Sequence, residues 1–548
     1  MDKYEKTKVL TIRYKKIKKL LQIVYGYDSF RPKQYEIINR IINGEDVCAL
    51  LPTGQGKSIC FQIPALYLDK PAIIVFPLIS LMEDQKIILD KLSITSCCYN
   101  STVENKYKMR KDIMKGKYQF VFITPESLTS LKSFLTELDG TLGISLIAID
   151  EAHCISSYGF DFRKAYRELT LFKEILPNIP ILALTATATN VIGKDICKTL
   201  QLKTQNPIKT SFDRPNLFLE VRCKTSRSSD DIIPIVKKHK NESVIIYCVT
   251  KKETENVAAI LKTFKIDCGM YHGDLDAKIK SKAHRKFVSG KVKVMVATIA
   301  FGMGINKSDV RAVIHYGAPK NIEGYYQEIG RAGRDGEKSY CYAFYNYRDF
   351  AIQESLIKNS TMTTPTYKEL LTKLLGVMKN YLTAKRCRRQ ILLEYFEEDY
   401  PDKCNFCDNC CGRIKIDTGI NKSTQNVQKE AKILIDLIES IKDRSFGITM
   451  YINILRASNN KNITPAIRKN KYYGAGKSHS MNWWKEVVDN LIQRGLLQYV
   501  SMNSGKFPIQ IIKVTQQGLA WANMSELSGI IDNLDIVKFE PLEMNNTI

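Results

Sequence analysis

No apolar run in this chain reaches the roughly 18 residues that a membrane-spanning helix needs, and its opening stretch MDKYEK lacks the apolar centre of a secretory leader. The expectation is therefore a soluble, intracellular protein with no membrane partner. Tandem repeats and long low-complexity tracts are also missing, which argues against a solenoid or a disordered linker. Acidic residues are in short supply: 57 Asp+Glu face 82 Lys+Arg, a net charge of +25. Such an excess implies a polyanionic partner, most simply nucleic acid, although overuse of Lys, Ile and Asn gives the same sum through compositional bias. The 15 cysteines are scattered and do not form a secreted disulfide framework, with one local cluster apart. A chain of 548 residues has room for three to five domains of roughly 150 residues each.

What is present begins with residues 51–58, LPTGQGKS, followed about ninety residues later by IAIDEAH at 147–153. Thr53, Gly54, Gln55 and Gly56 let backbone N–H groups curl around a polyphosphate, Lys57 offers a charge to the terminal phosphates, and Ser58 can hold magnesium. Asp150 faces the same magnesium, Glu151 is placed to orient or deprotonate the attacking water, and His153 to sense the γ-phosphate. Leu51 stands where the strict phosphate loop has glycine, so the match is to the looser TGxGKS form. A second GxGKS, at 474–478, follows polar KNKYY where a buried strand would be needed, and is rejected as a nucleotide site.

Short apolar runs at 73–76, 120–123, 146–149 and 181–184 read as buried parallel strands, each followed by chemistry at its C-terminal end. A second series starts after Asp213-Arg214-Pro215-Asn216, at 243–248, 293–297 and 311–315. Two doubly wound α/β domains in tandem follow, with a linker near 210–216. Cys387, Cys404, Cys407 and Cys410 have the spacing C-x16-C-x2-C-x2-C, which suits a closed, structural zinc site. Cys411 adjoins the last of them.

In order along the chain, these motifs resemble the RecQ family of DNA helicases, and the resemblance covers residues 27 to about 521. It implies two RecA-like domains (1–210 and 211–360), a zinc-binding helical subdomain (361–413), a linker (414–426), a winged helix (427–525) and a polar tail (526–548). It implies that Tyr27, Arg31 and Gln34 read adenine, that Ser80 in PLISLMEDQ contacts single-stranded nucleic acid, and that 185–188, TATA, links hydrolysis to strand movement. Gln327, Arg331 and Arg334 lie in QEIGRAGRDG, with Arg334 as the arginine finger. Tyr158, Phe160, Phe162 and Arg163 resemble the family's aromatic-rich loop, whose rings stack on bases at about 1–3 kcal/mol each. Tyr158 and Phe160 replace the usual tryptophan and histidine, and Asn306 an expected aspartate. Cys410, not Cys411, is favoured as fourth ligand by the family register.

In the winged helix, Ser480 caps a helix whose Trp483 and Trp484 face the core, Lys477 and Ser478 are candidate DNA-backbone contacts, and Phe507 near a hairpin tip is a candidate wedge. The reading is an ATP-, magnesium- and zinc-dependent 3′-to-5′ DNA helicase; a monomer is favoured with the oligomeric state left open, and repair or replication proteins are candidate partners. It looks like a compact form without a further C-terminal helical nucleic-acid-binding domain. A translocating or annealing ATPase that does not unwind is the alternative, and nucleus, chromosome and cytoplasm all remain open as its address.

Overall fold

The computed structural model describes residues 3–156, 163–225, 227–301, 307–360, 364–412, 420–441, 446–460, 462–502, 509–524 and 535–541. Seven parallel strands build the first lobe: β1 (Val47–Leu50), β2 (Ala72–Val75), β3 (Ser96–Tyr99), β4 (Phe120–Ile123), β5 (Ile147–Ile149), β6 (Ile181–Thr185) and β7 (Ile208–Lys209), in the spatial order 3-4-2-5-6-1-7. β1, β2, β4, β5 and β6 are buried along their full length, as strands covered on both faces by helices must be, and this is why they read as unbroken apolar runs. β6 lies between β1 and β5. The C-terminal ends of these three strands therefore present the phosphate loop, Thr185 and Asp150 side by side.

The second lobe repeats the plan with β8 (Leu217–Cys223), β9 (Ser243–Cys248), β10 (Cys268–Tyr271), β11 (Val294–Ala297), β12 (Val310–Tyr316) and β13 (Ser339–Tyr345), all parallel, in the order 10-11-9-12-13-8. One continuous apolar core runs from the first sheet through the second and into the cysteine-bearing segment, where it includes Cys387, Leu392, Phe396 and Cys407. The α/β architecture of two parallel-sheet lobes is thus as the strand pattern implies.

The C-terminal module has its own core, from Val427 to Ala522, with Trp484 and Trp521 fully enclosed. Its helix Met481–Gln493 starts at Ser480, whose hydroxyl accepts from Trp483 N at 3.1 Å, and ends before Gly495 in the left-handed region. β15 (Leu497–Met502) pairs antiparallel with β16 (Ile509–Val514). A departure from the sequence reading lies before it. The stretch read as linker forms strand β14 (Ile420–Asn426), paired antiparallel with β17 (Asp535–Pro541) in what reads as a polar tail. The polar sequence INKSTQN hid an extended segment that pairs along its whole length with that partner.

Candidate active site and metal centre

The phosphate loop is held open by conformation. Gly54 (φ +88°) and Gly56 (φ +73°) occupy the left-handed region, and the helix Lys57–Leu68 starts at Gly56 with no side-chain cap, an arrangement whose first N–H groups suit an anion. Gln34 braces the loop from behind: its amide donates to the carbonyls of Gln55 and Gly56, both at 3.0 Å, and accepts from Arg31 N at 2.8 Å. A Cβ on Gly56 would stand 2.6 Å from the Gln34 amide nitrogen, so only glycine permits that brace.

A cleft of about 630 Å³ opens between the lobes, lined by Tyr27, Arg31, Gln34, Thr53, Gly54, Gly56, Lys57 and Ser58 on one side with Asp150 and Glu151, and by Gln327, Arg331 and Arg334 on the other. Of the residues expected at the nucleotide, Gln55 and His153 do not line it. His153 is buried beside Glu151, its Nδ1 2.9 Å from Thr185 Oγ1 and 3.4 Å from Glu151 Oε2, joining the acidic motif to TATA. Glu151 itself has φ +49°, a rare conformation for a non-glycine residue that turns its carboxylate into the cleft, where Gln327 of the opposite lobe donates to it at 3.4 Å.

The charges in this cleft are incomplete without an anion and a cation. Burial, then the neighbouring Glu151 carboxylate, push Asp150 up to about 7 against the pull of Lys57, and Asp150 Oδ1 is buried with no hydrogen-bond partner. Facing it, burial and the Arg331 and Arg214 guanidiniums lower half-buried Arg334 to about 9. Arg331 is 4 % exposed. Three crowded guanidiniums fit a polyphosphate, and an orphaned buried carboxylate oxygen beside Lys57 and Ser58 fits a hard divalent cation.

Gly333 turns the chain after Arg331 with φ +55°, and a Cβ there would lie 2.4 Å from Asn216 Nδ2 and 2.6 Å from the Glu337 carbonyl. Gly333→Ala is expected to cost on the order of 1–3 kcal/mol in backbone strain alone, lowering the thermal midpoint and displacing the arginines. A variant with wild-type melting and wild-type ATP turnover would contradict this account.

The cysteine cluster is equally compact. The sulfur atoms of Cys387, Cys404, Cys407 and Cys410 all lie within 4.8 Å of one another, with Cys404 and Cys410 at 3.9 Å, and no disulfide joins them. A tetrahedron with metal–sulfur bonds of about 2.3 Å has edges of about 3.8 Å, so the four fit zinc with no position left for substrate. Cys411 points elsewhere: it is exposed and its thiol donates to the Cys407 carbonyl at 3.1 Å.

Of the expected nucleic-acid contacts, Ser80 is exposed on the first turn of the helix Ile79–Lys91, and Arg163 donates to the Pro77 carbonyl at 3.1 Å beside it. Lys477 and Ser478 are exposed in a run of turns. No strand precedes the GxGKS at 474–478; Gly476 instead accepts from Trp484 Nε1 at 3.0 Å and allows that ring to approach. Trp483 is half-buried, stacked on His479 at 3.6 Å. Tyr158, Phe160, Phe162, Asn306 and Phe507 fall outside the described residues.

Two features escaped the sequence reading. A second cleft, of about 800 Å³, opens where β9, β11 and β12 end, lined by Thr250, Lys251, Thr298, His315 and Lys320, and Gln327 lines both clefts. His315 Nε2 lies 2.7 Å from Glu328, next to Gln327. Strand C-termini were the available signal. The other is Arg214, read as linker, which donates to Thr53 O at 3.0 Å and to the carbonyls of Ala332 and Gly333, both at 2.9 Å.

Four family models match along the chain: DEAD/DEAH box helicase (31–194), helicase conserved C-terminal domain (227–336), RecQ zinc-binding (347–411) and RQC domain (421–526). A protein of Acanthamoeba polyphaga mimivirus, R290, provisionally named an ATP-dependent RNA helicase, is 65% identical over 99% of both chains. The ATP-dependent DNA helicase RecQ of Bacillus subtilis is 37% identical over 89% of this chain and 81% of its own. The bifunctional 3′-5′ exonuclease/ATP-dependent helicase WRN of Mus musculus is 37% identical over 91% of this chain, which spans only 36% of that protein. Among solved structures, Dbp5 of S. cerevisiae, bound to RNA and ADP BeF3, shares the two-lobed fold with a TM-score of 0.50 at 19% identity, covering 65% of this chain and 97% of its own.

Proposed function

The chain belongs to the RecQ family of helicases, and on that footing we propose that it is an ATP-dependent DNA helicase that moves 3′ to 5′ along one strand. The observation that carries the reading is the interlobe cleft, where Lys57, Asp150 and Glu151 of one lobe meet Gln327, Arg331 and Arg334 of the other. In it, Lys57 and the loop N–H groups bind the phosphates, Tyr27 and Arg31 hold the base, and Gln34 serves the loop it braces. Glu151 orients water, and Gln327 and His153 fix that carboxylate from two sides. Ser58 and Asp150 would hold magnesium, which supplies neutralising charge to the phosphates when bound. Since each lobe contributes only half of the site, hydrolysis is tied to closure of the cleft, and a strand gripped by both lobes advances as it opens and closes.

The strand path in this reading crosses Ser80 and Arg163 on the first lobe and the second cleft at Thr250 and Thr298 on the other. Lys477 and Ser478 meet duplex backbone, and Tyr158, Phe160, Phe162 and Phe507 supply rings to bases or to the junction. The domain limits given above, a monomeric working form and engagement with repair or replication proteins belong to the same proposal.

DNA is favoured because relatives such as the B. subtilis protein are named DNA helicases. A second reading, an RNA-directed motor, is favoured by the name of the 65% identical mimivirus protein. Matched DNA and RNA duplexes with 3′ or 5′ tails, offered to the wild type and to Lys57→Ala, decide between them. The expected result is displacement of the 3′-tailed DNA duplex by the wild type only, with ATP turnover stimulated more by DNA than by RNA. Preferential displacement of RNA, or of 5′-tailed DNA, overturns the DNA or the polarity assignment respectively; turnover without displacement leaves a translocating ATPase.

A further inference from the structure

The segment between the lobes is gripped from both sides. On one side, Arg389, which follows the zinc-cluster residue Cys387 by two positions and is 5 % exposed, donates to Asp213 Oδ1 at 2.5 Å, to the Arg214 carbonyl at 2.7 Å and to the Leu217 carbonyl at 2.7 Å. Glu398 accepts from Phe212 N at 2.6 Å and from Ser211 Oγ at 2.7 Å, and Phe396 stacks flat on Phe212 with ring centroids 4.3 Å apart. On the other side, the same few residues reach into the ATP cleft. Tyr326, on the helix carrying Gln327, donates to the Phe212 carbonyl at 2.6 Å. The Arg214 guanidinium joins the phosphate loop at Thr53 O to the finger loop at Ala332 O and Gly333 O, and Asn216 adds a 2.9 Å bond to Gly333 O.

A guanidinium has five donors in a rigid plane, so each arginine here fixes several acceptors at once in a way one lysine ammonium cannot. Arg389 thus fixes where the Arg214 backbone sits, and the Arg214 side chain fixes the spacing between Thr53 and the loop that carries Arg334. We infer that Arg389 and Arg214 form a two-arginine relay through which the zinc-bearing subdomain sets the position of the finger loop over the phosphate loop. Arg389 is then a positioning residue for hydrolysis, remote from the reacting atoms and acting through Arg214. The inference rests on the proposed ATP hydrolysis in this cleft and adds to it a second purpose for the zinc subdomain besides holding the fold together. Geometry of this kind is worth a great deal in a transition state, where a displacement of about 1 Å can cost on the order of 100-fold in rate.

The test uses the full chain, zinc-loaded, with saturating single-stranded DNA. Arg389→Met keeps the aliphatic stem and removes the donors. It is expected to lower kcat for ATP by about 10- to 100-fold, with KM for ATP within about twofold and zinc content equal to wild type. Arg389→Lys is expected to recover only part of the loss. Combining Arg389→Met with Arg214→Lys should lower kcat no further than Arg214→Lys alone, because the two act in series. Should Arg389→Met not fold, Asp213→Ala, on the half-buried linker side of the same pair, is expected to give a smaller kcat loss of the same kind. Wild-type kcat in the folded variant, independent multiplying losses in the double variant, or a kcat loss that tracks zinc loss alone would each overturn the relay. A wild-type chain with no ATP turnover would instead overturn the functional reading on which the relay rests.

Discussion

Arg334→Ala is expected to lower kcat for ATP by about 1000-fold or more, with KM changing far less, because a finger arginine acts on charge that exists only in the transition state. The side chain comes from the lobe opposite the phosphate loop, and a Cβ placed on Gly54 would touch its Cγ at 3.8 Å. Burial and two neighbouring guanidiniums lower it to about 9, still far enough above neutrality to keep it cationic during turnover. That repulsion is relieved when phosphate charge grows between the arginines and the loop, so stabilisation increases along the reaction coordinate. Arg334→Lys should restore little, since an ammonium on a shorter reach cannot present the planar fork. Arg331→Ala should cost less than Arg334→Ala. Steady-state ATP hydrolysis with saturating DNA measures all three, and an Arg334→Ala kcat within about tenfold of wild type would be incompatible with a finger role.

Much of this site was legible because its local signals agree with one another. The glycines of LPTGQGKS need left-handed backbone, the run IAI is buried on both faces of a parallel sheet, and both motifs sit at strand ends, so periodicity and loop chemistry point to one place. Edge and mixed strands were harder. β3 (Ser96–Tyr99) reads SCCY and β10 (Cys268–Tyr271) reads CGMY, and both close the edges of their sheets, where one missing neighbour lets polar and small residues intrude. Gln34 illustrates a different limit. Its amide is the right kind of group for reading a base edge and it lines the cleft, but its bonds to the carbonyls of Gln55 and Gly56 are a pairing across 21 and 22 residues that no local pattern encodes. Arg214 and Arg389 were invisible for the same reason. Most of their partners are backbone carbonyls from three separate segments, and carbonyls carry no sequence signature.

Cys407→Ala should remove zinc from the protein and, with it, much of the order of the segment from Cys387 to Cys411, whereas Cys411→Ala should leave zinc content and melting unchanged. The contrast follows from geometry: four sulfurs lie within 4.8 Å, while the fifth is exposed and turned to a carbonyl. Structural zinc contributes apparent folding free energies of about 10–16 kcal/mol in isolated zinc-finger peptides. Here the loss spreads further, since Cys407 is fully buried and shares one core with both lobes. Asp408, next in sequence, accepts from Arg388 Nε at 3.0 Å and from Val221 N at 3.0 Å, tying the cysteine knuckle to β8. Loss of the metal should therefore lower the melting of the second lobe as well as of its own segment. Metal analysis of the purified variants, alongside thermal melts, checks both halves. One zinc per chain in Cys407→Ala would remove that residue from the ligand set, and zinc loss in Cys411→Ala would place the fourth ligand one residue further on.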